Sequence, residues 1–199
     1  MNQDPKWYQA VKDIQFGEIP DGQSITDPTT YALKTVNYDH YEVHVGRSYA
    51  IYATFDLPAN NYIDIQIVVP NSTRWAHFTP FISSEGGVQT WIYEGIVINL
   101  AGTAMTPLNK NRNSANTSEF TFASIVNTTL ANADTDIATA TLLATAKAGA
   151  GRGLGGELEA RNEWVLKQNG KYSIRALNLV NNATQYVNFF LAWYEHTNK

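Results

Sequence analysis

Apolar and polar residues alternate with a period of two along most of this chain, the side-chain repeat of a β-strand. From residue 31 to residue 98 the alternation is nearly continuous. Tyr41, Val43 and Val45 face one way, and His40, Glu42 and His44 the other. Gly46-Arg47 reads as a hairpin turn, after which Tyr49, Ile51, Ala53 and Phe55 repeat the pattern. Ile63, Ile65 and Ile67 follow the turn Pro58-Ala59-Asn60-Asn61. Trp75, Phe78, Phe81 and Ile82 follow the break at Pro70-Asn71. Gly86-Gly87 then leads into Val88, Thr90 and Ile92, with Trp91 and Tyr93 on the opposite face. Turn signals recurring at roughly ten-residue spacing imply a sandwich, jelly roll or barrel and exclude a parallel sheet with crossover helices.

The stretch from Gly95 to Phe122 breaks this rhythm. Ile96, Val97, Ile98 and Leu100 form one apolar run, and Glu119 to Ala123 alternates as a half-buried strand does. Between them lie Pro107, the cations Lys110 and Arg112, and Asn109, Asn111, Asn113 and Asn116. Asparagine side chains hydrogen-bond to nearby main chain and tolerate left-handed backbone, so the segment reads as a crossover and not a tight hairpin. Beyond it, Ile137 to Ala148 mixes alanine with alternating threonine and is assigned to a strand, and AGAGRGLGGELEAR is a loop by composition. Three strands close the chain, around Trp164–Leu166, Tyr172–Leu177 and Tyr186–Tyr194. The last is apolar on both faces, which places it in the middle of a sheet. The fold expected is all-β: an antiparallel β-sandwich or jelly-roll-like domain over residues 31–199.

Residues 1–30 differ and form an extended N-terminal arm in this reading. Trp7, Tyr8, Val11 and Ile14 are spaced for one face of a short helix after Asp4-Pro5, and Phe16 follows; Gly17, Pro20, Gly22 and Pro28 stop its continuation. An arm that cannot bury its own aromatic residues lies against its own domain or a neighbour.

Composition narrows the function. The 199 residues contain no cysteine, which removes disulfides, thiolate metal sites and cysteine nucleophiles together. No run approaches the apolar length of a membrane span or of a signal peptide, so the expected place of synthesis is a cytoplasm. Net charge is −4 and Lys and Arg do not cluster, which argues against nucleic acid as a partner. Without a signal, the Asn-x-Ser/Thr triplets at Asn71, Asn116, Asn127 and Asn182 read as loops, not glycan acceptors.

Candidate chemistry is sparse. Gly151, Gly153 and Gly156 have dinucleotide-fingerprint spacing, but no strand–helix unit surrounds them and Ala176 stands where an acid is needed. His40 and His44 would meet on a helix. On a strand they stand about 13 Å apart and cannot share an ion. His77 and His196 are isolated in sequence. No serine or zinc-hydrolase motif occurs. Asp64, Glu94, Glu119, Glu163 and Glu195 are the carboxylates available for glycoside hydrolysis, and nothing selects any two. Trp75, Trp91, Trp164 and Trp193 suit a sugar platform less well than a core or an interface. The reading therefore contains no catalytic residue, cofactor site or metal site.

One combination of motifs goes further. Trp91-Ile92-Tyr93-Glu94-Gly95 precedes Met105-Thr106-Pro107-Leu108-Asn109-Lys110-Asn111-Arg112-Asn113-Ser114. The glycine loop, Glu163-Trp164-Val165-Leu166-Lys167, Lys171-Tyr172 and Trp193-Tyr194-Glu195 follow. This order resembles the head decoration, or cement, proteins of tailed phages, over residues 35–196. The resemblance implies a β-sandwich subunit on the outer surface of the virion. It would form a homotrimer, bind the major capsid protein, stabilise the assembled head and carry no catalytic residues. Trp7, Tyr8 and Phe16 would then be anchors onto capsid or neighbour. Asn111, Arg112 and Asn113 either brace the crossover or line a subunit interface, and bracing is favoured for Arg112. The competing class is a head-fibre or tail module that recognises host glycan.

Overall fold

The structure, a computed structural model, describes residues 38–127, 134–148 and 163–197. The chain divides between Tyr38 and Asp39, and all that follows belongs to Asp39–Lys199 apart from the first residue of the helix. The arm, with Trp7, Tyr8 and Phe16, and the glycine loop lie outside the described residues.

The architecture is an antiparallel β-sandwich. After a short helix α1 (Tyr38–His44), the strands are β1 (Ser48–Leu57), β2 (Tyr62–Val68), β3 (Arg74–Ser84), β4 (Val88–Glu94), β5 (Val97–Ile98), β6 (Thr103–Met105) and β7 (Leu108–Asn109). They continue with β8 (Thr121–Asn127), β9 (Thr135–Asp136), β10 (Thr141–Ala148), β11 (Trp164–Leu166), β12 (Lys171–Asn178) and β13 (Gln185–Thr197). One sheet has the order β11-β3-β13-β1-β7, the other β10-β4-β12-β2-β8-β6, and β5 pairs with β9 as a two-stranded ribbon. The crossover links the sheets, because β7 pairs with β1 in the first and β8 with β2 in the second.

Alternation explains the core. Tyr49, Ile51 and Leu57 of β1, Phe78 and Ile82 of β3, and Val187, Phe189, Leu191 and Trp193 of β13 point inward from one sheet. Ile63, Ile65 and Ile67 of β2, Val88 and Ile92 of β4, Phe122 of β8 and Tyr172 and Ile174 of β12 meet them from the other. Trp193 lies between the layers, its ring 5.8 Å from Tyr49 and 4.6 Å from Phe122. Strand β13 is central, paired along its length with β1 and β3.

The expectation fails at Tyr38–His44. This segment is helical, and Gly46-Arg47 joins a helix to a strand instead of two strands. Seven residues of alternation are too few to fix a period when local end signals oppose it. Asp39 stands in the first turn and His44 in the last, which suits the helix dipole. Gly46 adopts φ +72° just past the end. Its N–H donates to the Val43 carbonyl and the Arg47 N–H donates to that of Glu42, the paired bonds of a Schellman stop. The crossover also contains more strand than expected: β6 and β7 both form within its polar segment.

The outer face of β2 and β12 carries polar side chains that the alternation alone would leave in water, yet they are buried. Arg175 makes a bidentate pair with Asp64, Nε to Oδ1 and Nη2 to Oδ2, both 2.8 Å. Ser173 also donates to Asp64, and the guanidinium sits 4.4 Å over the Tyr62 ring. The β5–β9 side of the molecule closes the layer. Arg175 donates to the Thr135 carbonyl, and Gln66 donates to the Thr135 hydroxyl and the Leu100 carbonyl. Burial disfavours the Arg175 cation, but the paired carboxylate outweighs it and holds the pKa above its ordinary value.

Two outcomes follow from this packing. Arg175→Ala leaves Asp64, wholly buried, without its counter-charge and should cost about 3–5 kcal/mol in denaturant melts. The double replacement Asp64→Leu with Arg175→Met should recover most of that loss. Gly46→Ala forces a side chain into left-handed backbone and against Ser114, and should cost about 1–3 kcal/mol by the same measurement.

Candidate functional site

Among the described residues, titratable and aromatic side chains gather on the outer face of the five-stranded sheet. Register places Tyr194 of β13 between Ser48 of β1 and His77 of β3, and places His196 opposite Trp75. Residues 194 and 196 share a face because they are two apart on one strand. The His77 ring stacks on Tyr194 at 4.5 Å with 10° between planes. Glu163, just before β11, accepts a hydrogen bond from His77 Nδ1 and lies 3.3 Å from the Tyr194 hydroxyl through both carboxylate oxygens. His77 Nε2 and His196 Nε2 face each other at 2.7 Å. Next to this cluster is a cavity of about 210 Å³. Its floor includes Thr79 and Ala192, and Asp39 and His40 of α1, Lys110 and Glu163 contribute to its walls.

Because Tyr38–His44 is a helix, His40 and His44 are neighbours, contrary to the strand expectation. Their Nε2 atoms are 3.0 Å apart and their rings meet edge-on. One turn of helix brings positions i and i+4 together, where a strand would have held them far apart. Among the described residues, no group of three or more His, Asp or Glu side chains converges as a metal site.

Further along the same face, Tyr52, Phe190 and Phe81 form one cross-strand row. Tyr52 stacks on Phe190 at 4.6 Å and is 68% exposed. The tryptophans divide between roles: Trp193 is core, Trp75 is 41% exposed, and Trp91 and Trp164 are half-buried.

The five candidate carboxylates are each engaged, and Glu119 and Glu195 share Arg74, at 3.3 and 3.9 Å. Asp64 holds Arg175. Glu94 pairs with Lys167 and accepts from the Tyr172 hydroxyl. Glu119 pairs with Arg74 at 3.3 Å, and Glu163 serves His77. Glu195 is fully buried and accepts from Ser118 Oγ at 2.5 Å, Trp193 Nε1 at 3.0 Å and the Glu119 N–H at 3.3 Å. Burial pushes its carboxyl above the ordinary value, and the three donors draw it part of the way back. Burial, with the Glu195 charge adding to it, pushes the Tyr49 hydroxyl up to about 12.

The asparagine crossover packs on the end of α1. Asn109 Nδ2 donates to the carbonyls of Gly46 and Asn116, Asn111 Nδ2 donates to the His44 carbonyl, and Asn116 Nδ2 donates to that of Gly46. Arg112 Nη1 donates to the Asn109 carbonyl at 3.4 Å, and the Asn113 N–H donates to Asn111 Oδ1.

Comparison with known proteins returns nothing: no protein family, no curated protein and no solved structure matches the chain. Nothing local in the chain marks His77, Glu163, Tyr194 and His196 as a unit, because they come from segments 86 and 119 residues apart. The only local signal was the alternation that puts residues 194 and 196 on one face.

Glu195 yields a pH dependence. Its folded pKa is raised, so it binds its proton more tightly folded than unfolded, and that stabilisation is lost as pH rises through the folded value. Wild-type stability should therefore fall relative to Glu195→Gln as pH is raised from the ordinary carboxylate value upward. Parallel thermal melts across that window measure the difference.

Proposed function

We propose that this chain is a structural virion subunit that binds the outer surface of a tailed-phage capsid and stabilises the assembled head, as a homotrimer. The observation that carries this reading is the use made of the motif residues behind the resemblance. Glu94 joins Lys167 and Tyr172, tying the first motif to the two that follow the glycine loop. Asn109 and Asn111 fasten the crossover to the end of α1. Trp193 and Glu195 bond to each other in the interior. These side chains hold a sandwich in shape, which is what a clamp on a shell requires of its subunit. The row Tyr52, Phe190 and Phe81, with Tyr52 exposed and the two phenylalanines half-buried beside it, is of the kind that anchors protein contacts. Binding only to the expanded, assembled shell would add to its stability by mass action, and many copies would multiply a modest contact.

A glycan-recognition module of a head fibre or tail is the second reading. It is favoured by the cavity beside the His77–Tyr194 stack, where polar side chains surround an aromatic wall.

Light scattering on the purified protein, followed by pelleting with undecorated capsids, separates the two. The expected result is a trimer that co-pellets in stoichiometric amount, with Tyr52→Asp reducing co-pelleting about tenfold or more while leaving the fold intact. A monomer that ignores capsids and binds glycans instead would sink the decoration reading.

A further inference from the structure

Around the cavity on the outer face of the five-stranded sheet, the side chains of Ser48, Thr79 and Lys110 make no hydrogen bond or ion pair among the described residues. Strand register brings the first two together. Ser48 of β1 lies beside Tyr194 of β13, and one row on, Thr79 of β3 lies beside Ala192. Ser48 is only 3% exposed, and a hydroxyl so far removed from bulk water needs a partner inside the cavity. Lys110 reaches the same place because β7 pairs with β1, and its N–H donates to the Ser48 carbonyl at 2.8 Å. The protein packed around its side chain disfavours the ammonium and lowers its pKa, and the Asp39 carboxylate, beyond ion-pair distance, draws it part of the way back. A cation in that position gains from an anion carried in by a ligand.

Charge and size narrow the ligand. Asp39 and Glu163 stand in the walls with Lys110, so a single negative charge beside the lysine is tolerated better than the nearly doubled charge of a phosphate group. Carboxylates and hydroxyls around the remaining wall suit a ligand rich in hydroxyl groups. The Tyr194 ring, stacked on His77, and Ala192 give it an apolar flank. The volume of about 210 Å³ is several times the roughly 30 Å³ share of one water and suits one sugar ring.

We propose that this cavity is a subsite for an acidic sugar, a hexuronic acid unit of a glycan, with its carboxylate on Lys110 and its hydroxyls on Ser48, Thr79 and Asp39. The assignment rests on the glycan-recognition reading and names the class of sugar taken. Calorimetry and ligand-observed NMR on the full chain test it, with D-glucuronate and its C4 epimer D-galacturonate as probes. Methyl glucoside is the neutral control and inorganic phosphate the anionic one. One of the two uronic acids should bind at one site per chain, at least about tenfold more tightly than either control. Lys110→Gln should bring it down to the level of the neutral sugar without changing the latter. Ser48→Ala, which removes the hydroxyl, and Ala192→Leu, which fills the floor, should weaken both sugars while circular dichroism shows the fold retained. The proposal is overturned by uronic acid binding that Lys110→Gln leaves intact, or by phosphate binding more tightly. Neutral sugar bound as well as the uronic acids would remove the acidic subsite and leave glycan recognition standing. No saturable binding of any sugar would remove both.

Discussion

The packing of Trp193 between Tyr49 and Phe122 is the contact on which the remaining architecture depends. Tyr49 belongs to the sheet that holds Trp193, and Phe122 belongs to the sheet opposite, so one indole fixes the spacing of both layers. A buried indole needs a partner for its N–H, and Glu195, two residues along on the same face, supplies it. That carboxylate is then buried too and must be satisfied in turn. Ser118 and the Glu119 N–H do so, which fastens the end of the crossover to the centre of the molecule.

The same logic operates on the far side of the six-stranded sheet. A strand with one face in the core normally exposes the other, but Tyr62, Asp64, Gln66, Ser173 and Arg175 are covered. Covering charge is tolerable only when each group has a partner, and here the bidentate pair, the Ser173 hydroxyl, the Tyr62 ring and Thr135 provide them. The crossover and the β5–β9 ribbon thus act as structural parts. Each one closes a set of polar bonds that the sandwich alone would leave open.

Among the described residues, the outer face of the five-stranded sheet brings two kinds of surface together. There the aromatic row of Tyr52, Phe190 and Phe81 adjoins a cavity edged by histidine, lysine and carboxylate. A flat apolar row suits contact with another protein surface, whereas a polar cavity suits a small ligand or ion. The two lie on one face because β13 runs through both.

The sequence by itself determined the sandwich. Ile63, Ile65 and Ile67, or Val187, Phe189, Leu191 and Trp193, alternate because a strand with one buried face admits no other arrangement, and that signal is local. It also marked β13 as central, which its pairing with β1 and β3 bears out, although only one of its faces is buried and Tyr186 on the other is 52% exposed. The helix at Tyr38–His44 was written in Asp39 and Gly46 but masked by a brief alternation, and reading it as strand parted His40 from His44. The Asp64–Arg175 pair, the Glu195 anchor and the cluster of His77, Glu163, Tyr194 and His196 were decided by tertiary structure alone. Their members lie as much as 119 residues apart, and only strand register brings them within hydrogen-bonding distance. Alternation shows which side of a strand a residue occupies, whereas the order of strands in the folded sheet decides what it meets there.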